Sequence, residues 1–179
     1  MSTLTPSQTV GPFFCIGLHW PQRWRVAMEH DGRPRITLRG RLLDGDGAPV
    51  PDALIEIWQA DGEGCYHPDR TSGFCGAGRC AVDNQGMFRF ETSMPGSVAL
   101  SDGQLQAPHI NLLVLARGLL QHLYTRVYFA AHSAAHDTDM VLACVPPVRR
   151  GTLIAQPVEN DHVFDIHLQG ERETVFFEL

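Results

Sequence analysis

Alternation of apolar and polar residues constrains the fold of this chain most, because a period of two is the pattern of a half-buried β-strand. In residues 35–42, one face carries apolar residues and a glycine, namely Ile36, Leu38, Gly40 and Leu42. The other face carries Thr37 and arginines. The Asp-Gly-Asp-Gly run at 44–47 is typical of a turn. The pattern therefore predicts a strand that ends before this turn.

Further segments alternate in the same way or are apolar throughout, and clusters of Gly, Pro, Asn and Asp separate them. The predicted strands are 53–59, 87–91, 110–117, 119–129, 162–168 and 173–179. Gly118 lies between two of them and predicts a tight connection. Seven or so short strands predict a mostly β protein, an antiparallel β-sandwich.

The remaining segments predict one short helix, one long loop and an arm. Residues 133–144 have the length and composition of a short helix, which the Pro-Pro pair at 146–147 is expected to end. Residues 61–79 are rich in glycine and predict a long loop. Residues 1–34 contain several prolines and predict an N-terminal arm that lies on another surface. The whole chain, 1–179, is expected to form a single domain.

Charge and composition exclude several classes of function. The formal net charge is -6 and the arginines are scattered, which does not fit nucleic-acid binding. The N-terminus lacks the pattern of a secretory signal, and no apolar stretch approaches the roughly 20 residues of a membrane span. A cytoplasmic protein with no membrane partner is therefore expected. Five irregularly spaced cysteines favour reduced thiols, and Cys75 and Cys80 leave two interpretations open, loop thiols or a soft metal site.

Four separated blocks carry a family resemblance. They are Thr-Pro-Ser-Gln-Thr-Val-Gly-Pro-Phe at 5–13, Ile-Glu-Ile-Trp-Gln-Ala-Asp at 55–61, Ala-Pro-His-Ile-Asn at 107–111 and Gly-Glu-Arg-Glu-Thr-Val-Phe-Phe at 170–177. Together they resemble the α-type chains of the intradiol ring-cleaving dioxygenase family. The blocks follow the family order from end to end, so the resemblance implies that the β-sandwich is of the intradiol dioxygenase type.

The resemblance implies that a related β-type chain holds Fe(III) through two tyrosinates and two imidazoles, which are hard and borderline donors suited to ferric iron. The matching positions here are Tyr66, Val98, His109 and Asn111. Val98 replaces a phenolate and Asn111 replaces an imidazole, so no iron is expected in this chain. Gln106 and Arg126 also stand where the catalytic chains carry Arg and Gln, respectively, which marks the α type.

The resemblance also implies a contribution to the partner's substrate pocket. The residues that match α-type positions facing this pocket are Thr9, Gly11, Pro12 and Arg117. A glycine lets the backbone approach a ligand closely. Arg117 would attract an anionic aromatic acid by its charge.

Each singled-out residue also has a local interpretation that needs no active site. Tyr66 is then a loop phenol, His109 a hydrogen-bonded core histidine, Trp58 a core aromatic, Arg117 a strand-end charge and Arg172 part of a surface ion pair.

The resemblance implies an iron-free subunit that completes the active site of an Fe(III)-bearing β-type chain in a hetero-oligomer. Such an enzyme cleaves protocatechuate with O₂ to 3-carboxy-cis,cis-muconate. One alternative is a stand-alone β-sandwich binding module without catalysis. A second alternative is a metalloenzyme whose site is rebuilt from Tyr66, His67 and His109.

Overall fold

The computed structural model describes residues 9–11, 13–18, 21–26, 34–67 and 74–178. Its strands are β1 Arg35–Leu43, β2 Leu54–Gln59, β3 Ala77–Ala81, β4 Met87–Ser93, β5 Val98–Ala99, β6 Leu105–Gln106, β7 His109–Leu115, β8 Leu123–Phe129, β9 Ile154–Val158, β10 Asp161–Val163 and β11 Ile166–His167. Its α-helices are α1 Phe13–Leu18, α2 Ser133–His136, α3 Met140–Ala143 and α4 Pro147–Arg150. None of these helices is long and apolar enough to cross a membrane.

Strands form one curled sheet in the order β11-β1-β10-β9-β8-β7-β2-β3, with β4 also paired to β1 and a separate β5–β6 hairpin. The mostly β architecture is thus confirmed. Most pairs are antiparallel, but β1–β10, β1–β11 and β8–β9 are parallel, unlike the antiparallel sheet that was predicted. Parallel neighbours need a long crossover, which the helical segment at 130–153 supplies between β8 and β9.

The core lies between the two halves of this curled sheet. Leu38 of β1 and Phe90 of β4 belong to the same buried cluster as Ile55 of β2 and Ile110 of β7. Burying each such side chain stabilises the fold by about 1.5–3 kcal/mol before opposing terms. The strand alternation therefore identifies the inner face, and the opposite face of β2, β7 and β8 is left for the site described below.

The end of the predicted N-terminal arm is part of this core. The Arg23 carbonyl accepts a hydrogen bond from Arg79 N of β3, at 2.9 Å. The Trp24 carbonyl accepts one from Glu91 N of β4, at 3.0 Å, and Val26 is 2% exposed. This segment therefore bonds to both β3 and β4 and protects their edges. The prediction of an arm with no core element is wrong at these residues.

The prediction of one helix at 133–144 is also wrong, since the segment contains two short helices. The carboxylate of Asp139 accepts hydrogen bonds from Val141 N and Leu142 N, at 2.8 and 2.9 Å, and so caps a new helix, α3. Pro147 does not end a helix but begins α4, because its missing N–H has no partner in a first turn.

Several strand boundaries differ from prediction. The predicted loop at 61–79 includes the start of β3, and residues 116–122 connect β7 to β8 where a tight connection at Gly118 was expected. The segment 162–168 contributes to two very short strands. In the described part of the last segment, 173–178, the strand pairing is an isolated bridge through Phe177. β9 was not predicted because it contains a proline, which disfavours strand assignments.

Candidate functional site

The register of β2, β7 and β8 places a row of side chains on the outer face of the sheet. Asn111 is the cross-strand partner of both Trp58 and Arg126, and His109 is the partner of Tyr128. Directly paired residues point to the same side of a sheet. These side chains therefore share one face, opposite the core side chain of Ile110.

A chain of hydrogen bonds joins this row to the loop after β2. His109 Nδ1 lies 2.8 Å from the carbonyl of Ala107, which can only accept, so Nδ1 carries the proton and Nε2 is an acceptor. The hydroxyl of Tyr66, 3.2 Å away, donates to Nε2. Asn111 Nδ2 donates to the Tyr66 oxygen at 2.9 Å, and the Tyr124 hydroxyl donates to Asn111 Oδ1. The side chains of Tyr66, His109, Asn111 and Tyr124 therefore satisfy one another.

Burial sets the charge state of the cluster. Desolvation, with a smaller contribution from the nearby Arg126 charge, lowers the pKa of His109 to about 4, so the imidazole is neutral at pH 7. Desolvation raises the pKa of Tyr66 and that of Tyr128, which keeps both phenols protonated. Burial opposes the charge of Arg126, but the hydroxyls of Tyr128 and Tyr124 raise its pKa. Arg126 is thus the charged member of this cluster.

Val98 lies beside the loop that carries Tyr66. It is buried in the β5–β6 hairpin opposite Gln106. A Cβ built on Gly64 would lie 3.5 Å from Val98 Cα, which shows how closely the two segments approach. The structure therefore brings Tyr66, His109 and Asn111 into hydrogen-bond contact and places Val98 against the loop that leads to Tyr66.

These residues do not fit a ferric ion. The Val98 side chain has no donor atom, and the free lone pair of His109 already accepts from a protonated Tyr66. Asn111 offers an amide in place of an imidazole. The guanidinium of Arg126 also places a positive charge against the cluster, which disfavours a cation there. Tyr66 and His109 are therefore the two residues with donor atoms suited to iron, but they form a neutral hydrogen-bonded pair.

His67 does not join this cluster. Its Nε2 lies 2.7 Å from Asp61 Oδ2, and the centroid of its ring lies 5.5 Å from that of the Phe74 ring. Within the described ranges, no group of three or more His, Cys, Asp and Glu side chains is placed to hold a metal ion. The thiols of Cys75 and Cys80 contact the backbone carbonyls of Ala77 and Ala81, respectively. The arrangement gives no support to a metal site rebuilt around His67.

A second group of predicted residues lies near the other end of β7. Thr9 Oγ1 accepts a hydrogen bond from Gly118 N at 2.9 Å, which ties the N-terminal segment to the turn that carries Arg117. Arg117 is exposed and lies 3.8 Å from the carboxylate of Asp52. Gly11 is exposed with open space around its Cβ position, and Pro12 lies outside the described residues. β7 alone separates this end from His109 by roughly 20 Å.

Comparisons with known proteins identify the family. A family model described as Dioxygenase matches residues 11–171. The chain is 41% identical to the protocatechuate 3,4-dioxygenase α chain of Burkholderia cepacia over 100% of both chains. The chain belongs to the intradiol dioxygenase family. It is also 40% identical to the α chain of Pseudomonas putida over 98% of this chain and 96% of that one, and 31% identical to the B. cepacia β chain over 78% and 66%.

Solved structures of intradiol dioxygenases share the fold. Catechol 1,2-dioxygenase from Pseudomonas arvilla C-1 aligns with a TM-score of 0.66 over 82% of this chain and 55% of that one, at 21% identity. An intradiol ring-cleavage dioxygenase from Tetranychus urticae aligns with a TM-score of 0.63 over 93% of this chain and 94% of that one, at 16% identity. The predicted fold class is confirmed by these similarities.

Sequence reasoning missed part of the cluster. Trp58 was predicted as a core aromatic, which is wrong, because it is 49% exposed and its ring lies 4.9 Å from that of Tyr66. Its neighbour Ile57 faces the core, so a period of two directs Trp58 outward. Tyr124 and Tyr128 were not singled out, although both alternate with Arg126 along β8 and so share its face.

Proposed function

We propose that this chain is the iron-free α subunit of an intradiol dioxygenase that cleaves protocatechuate with O₂ to 3-carboxy-cis,cis-muconate. A β-type partner in the same hetero-oligomer carries the Fe(III). One observation carries the proposal: the chain is similar to α chains over its full length, and Val98 and Asn111 stand at two of the four positions that the family resemblance assigns to iron ligands. The remaining pair, Tyr66 and His109, is engaged in a neutral hydrogen bond.

The surface around Thr9 and Arg117 supports a role in the partner's pocket. The bond from Gly118 to Thr9 fixes the N-terminal segment beside Arg117, so that one surface presents backbone, hydroxyl and guanidinium together. Arg117 keeps most of its charge available, since its side chain is 59% exposed and Asp52 is at the outer limit of an ion pair. A guanidinium at a pocket mouth favours an anionic substrate.

The same surface is also apolar, which favours a partner over a stand-alone module. Val10, Leu115, Leu119 and Leu120 line a concavity of about 290 Å³. Leu120 is 65% exposed. Clustered exposed apolar residues next to polar ones are typical of protein interfaces. We therefore assign this surface to the contact with the β-type chain.

Replacing Arg117 with alanine is expected to raise the Michaelis constant for protocatechuate about tenfold, which corresponds to the roughly 1–2 kcal/mol of one charge-assisted contact in a partly wet site. The effect on uncharged catechol should be small, because catechol lacks the carboxylate that the guanidinium attracts. Steady-state kinetics of the complex with both substrates, at low and high ionic strength, measures this. Salt should weaken the wild type more than the variant.

Arg172→Ala is the matched control, since Arg172 is also an exposed arginine but lies in the C-terminal segment. It should leave both Michaelis constants unchanged. Equal losses for protocatechuate and catechol in Arg117→Ala, or no loss for either, would reject the steering role. The chain would then contribute only a scaffold.

A further inference from the structure

A groove crosses the outer face of the sheet next to the Tyr66 cluster. The strand register aligns two rows of side chains across it: Ala77, Trp58, Asn111 and Arg126 in the first row, and Arg79, Glu56, Leu113 and Tyr124 in the second. Residues of both rows line a cavity of about 390 Å³. This volume lies within the range of small-molecule sites, which are mainly apolar with a few polar groups. Arg126 is not itself a lining residue, but it is the cross-strand partner of the lining residue Asn111 and lies two residues after the lining residue Tyr124 on β8, so it adjoins the groove on this side.

Arg126 is the charged group at this end, and the hydroxyls of Tyr128 and Tyr124 are its hydrogen-bond partners. It takes part in none of the ion pairs formed among the residues that the structure describes. Its Nη1 atom is buried without an acceptor. Among the groove residues, Glu56 is already paired with Arg79. A partly buried charge of this kind is costly unless an opposite charge meets it.

The side chains of the cluster next to Arg126 are uncharged. Tyr66 and Tyr128 are protonated phenols, and His109 is a neutral imidazole. Asn111 already donates to Trp58 O and Tyr66 and accepts from Tyr124. The buried carboxylate of Asp139 contacts the Tyr128 hydroxyl at 3.4 Å and caps α3, and it forms no ion pair with Arg126. Among the described residues Arg126 therefore has no ion-pair partner, and an anion entering along the groove would meet its charge.

The floor of the groove favours a flat ring. Trp58 is about half exposed, and its indole packs on the Tyr66 ring with centroids 4.9 Å apart. Leu113 and Tyr124 add apolar surface beside it. An aromatic platform next to a guanidinium suits a planar ligand that has an apolar body and a carboxylate at one end.

We propose that this groove binds a small single-ring aromatic carboxylate, with its ring on Trp58 and its carboxylate at Arg126. The binding is reversible and involves no chemical step. The proposal does not depend on the proposed function, because every residue in it belongs to this chain and the surface of Thr9 and Arg117 takes no part. The ligand would lie beside the Tyr66 cluster.

Equilibrium dialysis of the assembled protein with labelled benzoate tests this. The wild type should bind one benzoate per copy of this chain in addition to any bound by the partner. Arg126→Gln should remove that site or weaken it at least about tenfold, because a charge-assisted contact is lost. Arg89→Gln is the control, since Arg89 is exposed on β4 and pairs with Glu91. Benzyl alcohol, which has the ring without the charge, should bind about tenfold more weakly than benzoate at this site.

Tryptophan fluorescence provides a second measurement that does not require Arg126→Gln to fold. Benzoate should change the tryptophan fluorescence of the wild type, and Trp58→Phe should abolish the part of the change that follows occupancy of this site. The proposal is overturned if wild type and Arg126→Gln bind the same number of benzoates with the same affinity. It is also overturned if benzyl alcohol binds as tightly as benzoate, or if Trp58→Phe leaves the fluorescence change intact.

Discussion

Lowering the pH from 7 to 4 is expected to destabilise the folded chain by about 3 kcal/mol through His109 alone. The pKa of His109 falls from 6.5 to about 4 on folding, chiefly because the imidazole is buried. Between these two values the unfolded chain binds a proton that the folded chain does not. The stabilisation is therefore complete above the unfolded pKa and is lost as the pH falls toward 4.

Urea unfolding at several pH values measures this effect. His109→Asn, which cannot titrate, should be less stable than the wild type at pH 7 but should lose less stability on acidification. His122→Asn is the control, since it makes the same substitution at an exposed histidine outside the Tyr66 cluster. Burial also lowers the pKa of His136, His162 and His167, so only the difference between wild type and His109→Asn isolates His109. An identical pH dependence in the two proteins would contradict the account.

Replacing Gly64 with alanine is expected to lower the free energy of unfolding by more than about 3 kcal/mol. Losses of this size are typical of backbone strain combined with overpacking. The residue has a φ of +86°, and its Cβ would lie 1.9 Å from the carbonyl oxygen of Ser97. Either the loop that carries Tyr66 or the segment before Val98 must then move. The Tyr66–His109 hydrogen bond should weaken with it.

Gly47→Ala separates the cost of a positive φ from the cost of the steric clash with Ser97. Gly47 has a similar φ of +78° but open space around its Cβ position, so only backbone strain of about 1 kcal/mol applies. Urea unfolding of both variants gives the difference, and the absorbance of the tyrosine phenols reports on the Tyr66 environment. Equal costs for the two variants would show that the Gly64 loop and the Ser97 segment are not packed as described.

Local patterns predicted the strands well where one face is buried. β1, β4 and β7 follow the alternation because each places every second side chain in the core. The same rule was not applied to Trp58, which stands next to the inward-facing Ile57 and therefore faces outward. The helix prediction failed for a local reason, namely that Asp139 caps a new helix within the predicted one.

Long-range pairing could not be predicted from local pattern. The bonds from the Arg23 and Trp24 carbonyls to β3 and β4 join segments far apart in the chain. The same holds for the site. The family resemblance predicted four positions for iron ligands, but it could not place Arg126. The position of Arg126 depends on its cross-strand pairing with Asn111, which a shift of one residue would abolish. The family resemblance showed only that Arg126 differs from the residue of the catalytic chains. The structure shows that Arg126 is the charged side chain of the Tyr66 cluster.

The central claim is that this chain contributes to an iron enzyme without binding iron itself. Metal analysis of the complex, purified through a tag on this chain together with its β-type partner, tests that claim most directly. The account predicts one iron per pair of chains, with the visible tyrosinate-to-iron charge-transfer band in the complex and none in this chain alone. One iron per chain, or a stoichiometric iron with that band in this chain alone, would contradict it.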